Sequence, residues 1–244
     1  MSDPTFDLAA PARALAIGAH PDDIEFGCGG TLAKWAESGT EVHLLVLTDG
    51  AKGTWDEHDD LPTLVARRER EARDAATVLA RGTVHFLGLP DGELESGRTE
   101  RELVCAALRR IRPDVVLGHD PWQRYRLHPD HRHAGWLTVD GIVAARDPHF
   151  FPGAGGAHHR PDRLLLFEAD EPNHYERIDA TVRTKIDALL CHRSQWRSTM
   201  GIEAESPDEA EHHAAFVERV TGAARVAELA GRSLVEAFRR IDDL

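Results

Sequence analysis

The sequence predicts an α/β protein, a Rossmann-like three-layer sandwich with a mostly parallel central sheet. Short apolar runs recur along the chain, as at 13–18, 41–48 and 114–118, and such runs suit strands buried on both faces. Most are followed by a longer stretch of helical character, and repeated strand–helix alternation builds right-handed crossovers around a parallel sheet. No composition break or internal repeat divides the 244 residues, so a single domain spanning 1–244 is expected.

Taken in order, residues 1–12 read as a loose lead-in and 13–18 as the first strand. Residues 27–38 open on glycines and Thr31, continue through Leu32, Ala33, Trp35 and Ala36, and stop at Gly39, as a helix does. Residues 41–48 are the second strand, turned by Asp49-Gly50, and 51–61 a polar loop. The strongest helix is 62–81, with Pro62 at its start, Gly82 past its end and an apolar face of Leu64, Ala72, Ala75, Ala76 and Leu79. Then come a strand at 83–87, a helix at 99–111, a strand at 114–118, a helix at 131–145 and a Gly/His-rich loop at 148–161. A strand at 163–168, a helix at 180–192 and a C-terminal helical extension over about 207–241 complete the expectation.

The composition is globular, 41% hydrophobic and 29% charged, with a net charge of −13. That balance argues against a general affinity for nucleic acid or anionic lipid, both of which need a cationic face. No apolar run approaches the roughly 18 residues of a spanning helix, and the first residues show no signal-peptide pattern. Membrane insertion is not expected. Cys28, Cys105 and Cys191 are widely spaced without any C-x-x-C pairing, which suits a reducing cytoplasm. Oligomeric state is not legible here, and a homo-oligomer is compatible with everything above.

Chemistry concentrates in two clusters, His20-Pro21-Asp22-Asp23 after the first strand and His128-Pro129-Asp130-His131 after the strand ending at Gly118. In open α/β sheets ligands sit beyond the carboxyl ends of the strands, and both clusters fall there. A catalytic zinc takes three protein ligands and leaves a position for water. His20 and Asp23 lie close enough on one turn to bite one ion, and His131 supplies a third ligand from the other loop. Two imidazoles and a carboxylate suit Zn²⁺ and tolerate other divalent transition metals. Asp22 is then placed as the base that takes a proton from water acidified by the ion. His128 is placed to stabilise an oxyanion or protonate a leaving amine, with Asp130 fixing its tautomer. A lone histidine is most often a surface or core residue, and His43, His85, His158, His159, His212 and His213 stay in that class. Two H-P-D clusters at strand exits are a far more specific signal.

Two rival classes share parts of this pattern. A nucleotide-binding oxidoreductase is suggested by the strand, glycine-rich turn and helix, and by Asp49 at the end of the second strand. Against it, Gly27-Cys28-Gly29-Gly30 is not G-x-G-x-x-G, and the Asp22 and Asp23 carboxylates repel a pyrophosphate. A non-catalytic metal- or sugar-binding module keeps the ligands but has no need of Asp22 and His128. Cys28 beside the turn reads as a small buried filler.

A-H-P-D-D-I-E followed by G-x-G-G-T-L-A, then L-T-D-G-x-x-G-T, R-x-x-E (Arg68 to Glu71), L-P-D-G (Leu89 to Gly92) and H-P-D-H resembles the LmbE/PIG-L family. His192 to Gln195, H-x-S-Q, is similar to that family's C-terminal signature, so the resemblance runs over about 13–196. It implies a zinc-dependent de-N-acetylase of small N-acetylglucosamine-type, amino-sugar conjugates, or alternatively an amidase on a thiol-sugar conjugate. By the same resemblance His20, Asp23 and His131 hold zinc, Asp22 is the base, and His128 with Asp130 is the acid or electrophile pair. Arg68 and Asp91 then take positions that contact the sugar. Trp55 and Trp122 are expected in loops rimming the site, and Tyr125 precedes His128 as a tyrosine does in some members.

Overall fold

The structure, a computed structural model, describes residues 3–224 and 233–244. In chain order its elements are β1 (Thr5–Phe6), β2 (Arg13–Gly18), α1 (Asp23–Glu37), β3 (Glu41–Thr48), α2 (Leu61–Ala80), β4 (Thr83–Leu89) and α3 (Arg98–Ile111). There follow β5 (Val115–His119), α4 (Pro129–Arg146), β6 (Arg163–Phe167), β7 (His174–Arg177), α5 (Val182–Leu189), α6 (Glu209–Ala223) and β8 (Val235–Ile241). A 3₁₀ turn, Arg193–Gln195, and a π-helical turn, Trp196–Met200, lie between α5 and α6.

The strands form one sheet in the order β1-β7-β8-β6-β5-β2-β3-β4. All neighbours are parallel except β8, which is antiparallel to both β6 and β7. Side chains alternate along the central strands. Leu15, Ile17, Leu45, Leu47, Val116, Leu164 and Leu166 pack with α3 and α4 residues such as Val104, Leu108 and Leu137. Ala14, Ala16, Val42, Leu44, Val115, Leu117 and Phe167 pack with α1 and α2 residues such as Leu32, Ala75 and Leu79 on the other face. Burial on both faces is why these strands read as continuous apolar runs. The helix of 62–81 is α2, capped by Asp60, whose side chain accepts from Thr63 N.

The C-terminal part departs from the expectation. Of the helical extension over 207–241, α6 is helix, residues 225–232 lie outside the described residues, and β8 is a strand. Val235, Phe238 and Glu236 are buried, so a segment that reads as a charged helix is a strand held inside the sheet. The lead-in 1–12 contains β1, and β7 had no counterpart in the expectation.

Helix α1 also starts earlier than its expected 27–38, at Asp23, and is kinked at Cys28 (φ −148°, ψ 19°). Beyond the kink, the Glu236 carboxylate of β8 accepts from Gly30 N (2.9 Å), Thr31 N (2.8 Å) and Thr31 Oγ1 (2.5 Å), and from Lys185 Nζ of α5 (2.7 Å). It thereby satisfies backbone donors that the kink leaves open. The glycines here serve packing: a Cβ on Gly27 would stand 2.5 Å from the Phe167 ring, and one on Gly30 2.8 Å from Ile178. Cys28 is fully buried, and burial pushes its thiol pKa well up.

Candidate active site

Strand β2 has β3 on one side and β5 on the other. The chain order reverses across it, and that switch point is where open α/β sheets bind ligands. Ile17 is level with Gly118 of β5, so the turn after β2 and the segment after β5 emerge side by side. The first delivers His20, Asp22 and Asp23, with Asp23 the first residue of α1. The second delivers His128 at the N-cap of α4 and His131 in its first turn. Helix α4 approaches closely because it carries glycine at 135, where a Cβ would stand 2.8 Å from His119 O.

His20, Asp23 and His131 close a triangle of donor atoms. His20 Nδ1 is 3.2 Å from His131 Nε2 and 3.3 Å from Asp23 Oδ2, and His131 Nε2 is 3.2 Å from Asp23 Oδ1. Ligands about 2.0–2.1 Å from a tetrahedral ion stand about 3.3 Å apart, so the donor set fits one divalent ion. The electrostatics call for a cation as well. Burial opposes charge on His20, but hydrogen bonds to Asp130, Asp23 and Asp91 override it and push the ring up to about 12. For Asp23, burial opposes ionisation, yet the neighbouring His131 and His119 hold it well below the usual carboxylate range.

Behind the triangle, His20 Nε2 meets two carboxylates, Asp130 Oδ2 and Asp91 Oδ1, each at 3.1 Å. Such a carboxylate–histidine pairing fixes which ring nitrogen faces an ion. Asp130 also accepts from Gly92 N (2.6 Å) and Leu94 N (3.3 Å), and Asp91 from Lys52 N (2.8 Å). The structure thus differs from the expectation in one contact: Asp130 hydrogen-bonds to His20 rather than to His128. Asp91, expected to contact sugar, faces His20 and also lines the cavity.

Asp22 is buried, with its backbone at φ 109°, a conformation that disfavours any residue with a Cβ. Burial raises its pKa to about 6, with Arg68 acting to lower it and Asp23 to raise it. The Arg68 Nη2 lies 3.8 Å from Asp22 Oδ1, and the guanidinium donates to Gly50 O and Pro21 O at 2.7 Å each. Arg68 therefore braces the turn that presents Asp22. His128 stands over the triangle, its ring centroid 4.7 Å from that of His20 and 4.8 Å from that of His131. Burial, then His20 and His131, lower its pKa.

These side chains line a cavity of about 400 Å³ whose wall also includes Phe26, Lys52, Gly53, Glu168, Gln195, Thr199 and Arg219. Trp55, Trp122 and Tyr125 do not line it, and Tyr125 is 91% exposed. A larger cavity of about 690 Å³, walled by Asp120, Trp122, Arg124 and Arg239, lies apart from the triangle. Sequence reasoning missed His119 and Glu168, while Gln195 belongs to the H-x-S-Q segment it had singled out. His119 Nε2 is 3.3 Å from Asp23 Oδ2 and its Nδ1 3.0 Å from Glu168 Oε2. The available signal was a histidine at the end of β5, one residue past the predicted strand.

A doubly wound sheet bearing at its switch point a His/Asp set fit for one ion, with a buried carboxylate beside it, defines an LmbE-like α/β amide hydrolase. The chain belongs to the PIG-L family: the family model described as GlcNAc-PI de-N-acetylase matches residues 15–142. It is 36% identical over 187 residues to the diacetylchitobiose deacetylase of Thermococcus kodakarensis, covering 75% of this chain and 70% of that protein. To the 1D-myo-inositol 2-acetamido-2-deoxy-alpha-D-glucopyranoside deacetylase of Kineococcus radiotolerans it is 34% identical over 181 residues, spanning half of that relative. The crystallised N,N'-diacetylchitobiose deacetylase of Pyrococcus horikoshii superimposes with a TM-score of 0.83 at 30% identity, covering 97% of this chain and 87% of that one. Among the described residues no helix is long and apolar enough to cross a membrane.

Proposed function

We propose that this protein is a zinc-dependent hydrolase that removes the N-acetyl group from an N-acetylglucosamine-type conjugate. The observation that carries the reading is the convergence of His20, His131 and Asp23, the two ring nitrogens 3.2 Å apart and each 3.2–3.3 Å from one oxygen of the Asp23 carboxylate, with the Asp22 carboxylate adjoining them. The relatives of Thermococcus kodakarensis and Kineococcus radiotolerans support the substrate class, one by name a diacetylchitobiose deacetylase and the other a deacetylase of a 2-acetamido-2-deoxyglucopyranoside. Neither supports the thiol-sugar alternative. The buried free thiols of Cys28 and Cys105 support a cytoplasmic setting.

On this reading His20, Asp23 and His131 hold the ion, and two imidazoles with a carboxylate are a donor set for zinc. An ion held there would supply acidification of a water and polarisation of the acetamide carbonyl. Asp22, poised at about pH 6, takes the proton of the attacking water at a carboxylate oxygen. Its lowered pKa keeps His128 neutral, so its ring N–H donates a hydrogen bond to the developing oxyanion rather than delivering a proton. The proton that Asp22 has taken goes to the sugar nitrogen as the C–N bond breaks, giving acetate and the free amine. Asp91 and Asp130 orient His20, and Arg68 holds the turn under Asp22.

The test is amine release from diacetylchitobiose and from a 2-acetamido-2-deoxyglucosyl inositol, with metal analysis of the purified protein. Turnover should vanish with chelator, return with zinc, and fall sharply in Asp22→Ala. A protein without bound divalent ion whose turnover ignores chelator would sink the reading.

A further inference from the structure

Beside the triangle lies a second convergence of donors, which shares His131 with it and adds His119 and Glu168. The rings of His119 and His131 stack with centroids 4.4 Å apart and 22° between their planes. One donor atom each from His119, His131 and Glu168 lies within 4.8 Å of the other two. His119 Nδ1 is 3.0 Å from Glu168 Oε2. Arg126 Nη2 donates to that same oxygen at 2.5 Å and also lies against His131 Nδ1. A tethered cation thus stands where the donors meet.

We infer that His119, His131 and Glu168 form a second divalent-cation site next to the first, and that the Arg126 guanidinium fills it and keeps the centre mononuclear. This rests on the metal-dependent reading above. Two imidazoles and a carboxylate are again a donor set for zinc or cobalt. His131 would turn Nε2 to one ion and Nδ1 to the other, so filling both sites takes its last ring proton, which leaves to solvent. A guanidinium held in place by Glu168 occupies that second position and excludes an ion from it. A guanidinium keeps its charge across the working range of pH, so the exclusion is permanent. Glu168 sits at φ 59°, in the left-handed region. A glutamate adopts that conformation only where its surroundings hold it there.

The experiment is equilibrium dialysis of the full-length protein against a series of buffered free Zn²⁺ concentrations, with ions per chain counted by mass spectrometry. Wild type should hold one ion, Arg126→Met two, and the double variant R126M/E168A one again. Arg126→Gln serves the same purpose if the methionine variant does not fold. Measured against its own maximum, R126M should be inhibited at free zinc at least tenfold lower than wild type. A folded R126M that stays at one ion per chain overturns the inference, as does a second ion that survives Glu168→Ala. One ion in both proteins leaves the catalytic-metal reading standing, whereas a wild type with no ion overturns that reading and this inference with it.

Discussion

The carboxylate of Glu71 on α2 accepts from both the backbone N–H and the hydroxyl of Ser194, at 3.0 and 2.6 Å. Two segments 123 residues apart are joined there, the R-x-x-E of α2 and the H-x-S-Q after α5. The next residue, Gln195, donates from Nε2 to Gly53 O at 3.0 Å and lines the cavity.

Glu71→Ala therefore frees the turn that carries Gln195. Loss of two hydrogen bonds to a buried carboxylate should cost about 2 kcal/mol of stability, read from urea denaturation. In steady-state kinetics KM should rise more than kcat falls, because the wall of the cavity moves while Asp22 stays in place. An unchanged KM would assign Glu71 to stability alone.

Asp22→Asn keeps the shape of the base and removes its basicity. The drop in kcat should be about 10²–10⁴-fold, with the bound ion retained. The base must be ionised to act, so wild-type kcat/KM should rise with pH through an acidic limb at or below pH 6. A bound cation adds to Arg68 in favouring the carboxylate and moves the limb downward. That limb should disappear from the profile of the asparagine variant.

Asp130→Asn leaves His20 Nε2 with one anionic partner instead of two. Removal of such a partner typically weakens metal binding about 10–100-fold, which chelator competition measures directly. Asp91→Asn should act in the same direction. If Asp91→Asn instead raised KM with metal affinity untouched, Asp91 would serve as the sugar contact expected from the sequence.

His85 on β4 lies 3.0 Å from His43 of β3 through facing ring nitrogens. Burial, then the charge of His43, lower the pKa of His85. A histidine depressed by folding binds fewer protons in the native than in the unfolded state. Its contribution is present above the unfolded pKa of about 6.5 and is lost as pH falls through the folded value. Thermal denaturation of wild type should weaken over that acidic range, and His85→Gln should flatten the dependence.

The strands of the central sheet were legible because each is buried on both faces, and 41–48 coincides with β3 to the residue. The two H-P-D clusters were legible because ligand-type residues at strand exits are unusual together. Pairings through space were not. Nothing local says that Asp130 turns to His20 rather than to its neighbour His128, because the choice is made by Gly92 and Leu94, whose backbone N–H groups fix the carboxylate. Strand β8 was misread because Val-Glu-Ala-Phe-Arg-Arg-Ile mixes charge and bulk without clean alternation. Its glutamate is buried only because Thr31, Gly30 and Lys185 wait for it.

That last contact sets an order of events on the ribosome. Helix α1, which begins with Asp23, is among the first segments synthesised, yet the carboxylate that holds its second half comes from residue 236. The second half of α1 consequently waits on a strand translated more than two hundred residues later. An early-made half of the chain can collapse while it emerges, but it cannot lock. The fold of α1 beyond its kink is therefore complete only once the antiparallel strand β8 has joined the sheet.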